Sequence, residues 1–184
     1  MKNVYRFIFY SAAVFVMALS GCASKPAAVQ EIIQSSDTMA VTLYGYEIGG
    51  GYKSPSSSYT AFINVKDFDE SSLETIGASD DFAARLKETS DQYQSIWNSF
   101  GDELVQYLKT SDFKETALVP SNDDLAFLVE TPDAGNVYFF RSDLVKIVGD
   151  QTTCYSVSDM KDLLDALAGA AQANDALFSS LTSQ

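Results

Sequence analysis

The chain of 184 residues contains no histidine. That absence removes Ser-His-Asp and Cys-His catalysis and the usual zinc ligand sets together. Cysteine is nearly missing as well, with Cys22 and Cys154 the only two. Basic residues are few, 12 against 25 acidic ones. Such a surface repels phosphate backbones and anionic headgroups, which excludes nucleic acid as a partner and an electrostatic membrane-binding face. Nor does the N-terminal apolar run, Phe7 to Leu19, reach the roughly 20 residues needed to span a bilayer.

What that run has instead is a cationic start, Lys2 and Arg6, and a small-residue end, Ser20 and Gly21, directly before Cys22. A cationic start, a short apolar middle and a small-residue cleavage site read as an export signal that is later removed. The tetrapeptide Leu19-Ser20-Gly21-Cys22 resembles the lipobox of bacterial lipoproteins. The resemblance covers the leader alone. It implies that the Cys22 thiol receives a diacylglycerol and that the chain is cut between Gly21 and Cys22. Small residues let the cut site lie extended in a protease groove, and the thiol is the available nucleophile. One acyl chain binds membranes marginally and two hold firmly, so an acylated Cys22 keeps the protein on the membrane. In Gram-negative lipoproteins an Asp after the cysteine signals retention in the inner membrane; Ala23 and Ser24 stand here, which favours the outer membrane. No cofactor is expected beyond this covalent lipid.

Removal of residues 1–21 takes away two basic and no acidic side chains, so 163 residues remain with a net charge of −15. That length suits one domain. With Cys22 acylated, Cys154 has no partner for an intramolecular disulfide, and the fold must stand on burial. Cys154 alternates with Thr153, Tyr155 and Val157 in strand fashion. A small buried thiol is the expectation, with a reactive or intermolecular thiol as the alternative.

Residues 22–37 read as the lipidated N terminus and a tether with one helical turn, spanning about 20–25 Å. The domain follows over 38–184. Two runs rich in β-branched and aromatic residues, Thr38–Ile48 and Ser58–Phe68, flank a Gly/Ser/Pro loop and suggest an antiparallel pair, with Tyr59, Ala61, Ile63 and Val65 on one face. Phe82, Leu86, Tyr93, Trp97, Phe100, Leu104 and Leu108 recur at helical spacing over 80–109, with Ser79 and Asp80 as N-cap candidates and Gly101 as a possible kink or break. A second hairpin is expected from Leu125–Thr131 and Val137–Arg141 around Pro132, Asp133, Gly135 and Asn136. Residues 143–148 fit either a strand or a short helix. A strand at Thr152–Val157 and a last helix capped by Ser158 complete the order. The expected fold is α+β: an antiparallel sheet of about four to five strands with two long helices packed on one face.

Motifs for chemistry are weak. Ser-x-x-Lys occurs twice, at Ser111–Lys114 and Ser158–Lys161, without accompanying motifs. The run GYEIGGGYKS lacks the phosphate-loop spacing, and DFDE at 67–70 lacks that of a calcium loop. A recognition feature is the loop Gly49–Ser58, with Gly49, Gly50, Gly51, Tyr52 and Lys53, flanked by Tyr44, Tyr46 and Tyr59. Tyrosine with Gly and Ser suits contact surfaces, because tyrosine offers a large area at low entropic cost. Together these features point to a lipid-anchored, non-catalytic envelope protein that binds another envelope component. The alternative is a small-ligand or metal-binding carrier, and an unconventional hydrolase comes third.

Overall fold

Side chains three and four residues apart share one side of a helix, so Trp97, Phe100, Leu104 and Leu108 must be buried together or not at all. In the computed structural model, which describes residues 25–34, 39–47, 51–52, 58–63, 80–131 and 135–182, all four are buried. They lie on the helix Asp80–Thr110 (α2), which runs unbroken through Gly101. Gly101 is therefore a contact, not a kink. A Cβ there would lie 2.9 Å from Cγ2 of Ile63, so the glycine lets the strand end approach the helix backbone. Ser79 lies outside the described residues, and Leu86, toward the start of the stripe, is exposed.

Among the described residues the sheet has seven strands, not four to five. These are β1 (Ala40–Tyr44), β4 (Ser58–Phe62), β5 (Lys114–Thr116), β6 (Leu125–Glu130), β7 (Asn136–Phe140), β8 (Leu144–Val148) and β9 (Thr152–Ser156), in the order β4-β1-β6-β7-β8-β9-β5. All neighbouring pairs are antiparallel. A separate ribbon pairs β2 (Tyr46–Glu47) with β3 (Gly51–Tyr52). The extra strands have a plain physical origin. Lys114-Glu115-Thr116 has no apolar alternation and is a strand only because β9 offers it a partner edge. Residues 144–148, open between strand and helix in the sequence, pair on both sides.

Among the described residues there are three α-helices, where two long ones were expected. Beside α2 and α3 (Met160–Thr182), the segment Ala27–Gln34 forms α1, and its Val29 and Ile32 are wholly buried. Half of the expected tether is thus a helix docked on the core through Val29 and Ile32. Helix α3 begins directly after Asp159, which takes a left-handed φ of 59°, two residues past the expected cap Ser158.

Buried side chains of all three helices join one cluster with Val41, Leu43, Ala61, Phe127, Val129, Val137, Phe139, Val145 and Ile147 from the sheet. At its centre Phe127 stacks on Phe139 with ring centroids 4.3 Å apart, and Phe100 and Trp97 continue the chain edge-on. Of the buried polar residues described, Ser111, Thr131 and Asn174, the last lies deepest. It is buried, and its side-chain oxygen accepts from Trp97 Nε1 at 3.2 Å and Tyr59 Oη at 3.4 Å, which satisfies two donors that burial strips of water. No helix among the described residues is long and apolar enough to cross a membrane.

Candidate functional site

Residues directly opposite in an antiparallel pair share a face, so the strand registers alone define what the other side of the sheet presents. Across it runs one row: Thr60, Thr42, Leu128, Tyr138, Lys146, Cys154 and Thr116. The buried helical side chains of the core cluster all lie on the opposite face, with Phe127 and Phe139.

The centre of this second face is aromatic with one cation. Lys146 Nζ lies 4.8 Å from the centroid of Tyr138 and 5.9 Å from that of Phe140, within cation–π range of both. The Tyr138 hydroxyl accepts a long 3.5 Å contact from Asn136 Nδ2. Tyr44 stands near the same group: burial first, then the neighbouring Tyr138 and Glu130, push its hydroxyl above the ordinary tyrosine range. Toward the β4 edge the Thr42 and Thr60 hydroxyls hydrogen-bond at 2.8 Å. Phe140, Leu144 and Leu128 are buried, whereas Tyr138, Lys146 and Cys154 are half-buried. What this face presents is the half-buried Tyr138 ring beside the Lys146 ammonium group, over buried Phe140 and Leu128, with the Thr42 and Thr60 hydroxyls at its margin. It can stack on a ring or side chain and hydrogen-bond at its margins, and the Cys154 thiol stands opposite Lys146 in register.

Of the sequence candidates, Gly51 and Tyr52 fall in β3, with Tyr52 opposite Tyr46; Gly49, Gly50 and Lys53 lie outside the described residues, as do Gly21, Cys22 and residues 67–70. The ribbon of β2 and β3 follows β1 after Gly45 and is not hydrogen-bonded into the seven-stranded sheet. Cys154 is not the buried thiol expected: it is free and half-buried, between Lys146 and Thr116 in register, because only the short edge strand β5 lies outside it. Both Ser-x-x-Lys lysines lie beside a carboxylate. Lys114 pairs with Asp112 at 3.6 Å, and Lys161 hydrogen-bonds Asp165, which raises its pKa when a base would need it lowered. No group of three His, Cys, Asp or Glu side chains that could hold a metal occurs among the described residues.

The residues that sequence reasoning missed are Tyr138 and Lys146. Their one local signal is alternation in Asn136–Phe140, which sets Tyr138 on the face opposite Val137 and Phe139. Grooves also run along α2 and α3, lined by Ile96, Phe100, Ala166, Gly169, Ala170 and Ala173, and they are open to solvent. In comparisons with family models, curated proteins and solved structures, the chain matches none.

Proposed function

We propose that this chain is a lipid-anchored, non-catalytic protein of the cell envelope, a binding or accessory module for another envelope component, seated in the outer membrane where the host is Gram-negative. The observation that carries this reading is Leu19-Ser20-Gly21-Cys22 behind a basic and apolar leader. The contact surface we assign is the second face of the sheet around Tyr138 and Lys146, where rings and one cation are offered without a catalytic set. The loop Gly49–Ser58 is the competing surface.

Mass spectrometry of the mature N-terminal peptide, purified from detergent extracts, tests the anchor. The expected product begins at Cys22 and carries acyl chains, and Cys22→Ala abolishes that processing. A mature chain with a free Cys22 thiol would refute the reading. For the contact surface, a photoreactive side chain at Tyr138 should cross-link one envelope protein in intact cells, and Lys146→Glu should abolish the product. If only a probe in the Gly49–Ser58 loop cross-links, the site moves there.

A further inference from the structure

We infer that the edge strand β4 joins two copies of this chain, each β4 pairing antiparallel with the other about a twofold axis at Thr60. The inference goes beyond the anchor reading and does not depend on Cys22. A strand at the edge of a sheet leaves alternate N–H and C=O groups unpaired, and those groups are a template for a further strand. At β4 their identity follows from the bonds already made. The Ile63 N–H donates to the Met39 carbonyl at 3.0 Å, so Ile63, Ala61 and Tyr59 turn their backbone groups toward β1. Ser58, Thr60 and Phe62 therefore turn theirs outward. Two contacts agree: the Phe62 N–H donates to Tyr93 Oη of α2 at 3.2 Å, and the Thr42 and Thr60 hydroxyls meet at 2.8 Å, as side chains do in a non-hydrogen-bonded pair. Ser58, Thr60 and Phe62 are all exposed, Phe62 to 54%, and among the described residues no strand lies beyond β4.

What covers this edge follows from comparing it with the other one. With 25 acidic against 12 basic residues, two copies repel one another over most of their surface. Close contact between them needs a stretch without charge. Strand β5 carries Lys114 and Glu115, and its middle residue, Glu115, would face its own copy across a twofold axis. Strand β4, Ser58-Tyr59-Thr60-Ala61-Phe62, holds no charge at all. Centred on Thr60, a twofold axis sets threonine against threonine and Ser58 against the partner's Phe62, a self-complementary register. Thr60 then exchanges both backbone hydrogen bonds with its copy, and each Ser58 N–H donates to the Phe62 carbonyl across the axis. The Phe62 ring, exposed in a single copy, is covered by the added strand.

The test uses the full processed protein in isolated membranes, with Cys154→Ser as the parent and the blank. Hydrogen-bonded partners in an antiparallel pair lie about 5.5 Å apart at Cα, within disulfide reach. Thr60→Cys should therefore give a disulfide-linked dimer on mild oxidation. Ser58→Cys and Phe62→Cys should not, because each lies about 13 Å along the strands from its own copy. Glu115→Cys, on the other edge, should not either. Thr60→Pro is the companion variant: it deletes an N–H that β1 does not use, and proline is tolerated on an edge strand. By light scattering in detergent it should be monomeric where the wild type is dimeric, with the urea midpoint kept. A folded Thr60→Cys protein that cross-links no more than Glu115→Cys overturns the inference, as does a Thr60→Pro protein that stays dimeric. Linkage through Ser58→Cys or Phe62→Cys instead overturns the register, and a Thr60→Cys disulfide to a different protein overturns the second copy as the occupant.

Discussion

Two glycines in helices, Gly101 and Gly169, behave oppositely because of what surrounds them. A Cβ at Gly169 meets nothing within 4 Å, whereas at Gly101 it meets Cγ2 of Ile63 at 2.9 Å. Helix propensity alone favours Ala at both positions by up to about 1 kcal/mol. Gly169→Ala should therefore stabilise by roughly that amount, while Gly101→Ala should destabilise by about 1–2 kcal/mol through overpacking. Urea unfolding checks both. In an Ile63→Ala background the penalty at Gly101 should vanish, since the clashing methyl is gone; a penalty that persists would place the constraint in the backbone. At the same scale Asp143, with φ 57°, occupies a left-handed turn position between β7 and β8 that Asp tolerates through its short polar side chain.

The element whose status changed most is α1. Its eight residues contain no acidic residue in the first turn and no basic one in the last, so an isolated helix of this length and sequence has little reason to form. Docking supplies the reason: Val29 and Ile32, one turn apart, enter the cluster shared with α2 and the sheet. Ile32→Ala should therefore cost about 2–4 kcal/mol in urea unfolding, the range for a large-to-small change in a core. A mere tether would lose nothing. Strand β5 poses the same question at the edge of the sheet. Lys114 and Glu115 give it charged side chains, which discourage pairing with a further chain.

At the scale of the whole molecule, tyrosine burial sets a limit on alkaline stability. The hydroxyls of Tyr44, Tyr59 and Tyr107 are all pushed above the ordinary tyrosine range, chiefly by burial. Below pH 10, near the unfolded pKa, both folded and unfolded chains keep these protons and the stability is fully present. Above it the unfolded chain ionises while the folded one resists, so stability falls as pH rises. Denaturant midpoints measured from pH 8 to 11 should drop beyond pH 10, and Tyr59→Phe should make that drop shallower. The same packing gives the described part of the sheet its two sides: α1, α2 and α3 pack on one face, and Tyr138 and Lys146 lie on the other.

Local signals determined much of this. The absence of histidine and the long helical stripe are legible in the residues themselves, and α2 ends within one residue of where its periodicity stops. The hairpin of β6 and β7 was legible for the same reason, since its turn residues lie between two apolar runs. What only the tertiary structure decided is which distant segments meet. Leu125–Glu130 is apolar almost throughout, so its alternation does not say which face is covered. Lys114–Thr116 becomes a strand, Ala27–Gln34 becomes core, and Thr42, Tyr138, Lys146 and Cys154 come into one row only once the strand order and registers exist. Those depend on the summed burial of residues far apart in the chain, a quantity that no short window of sequence contains.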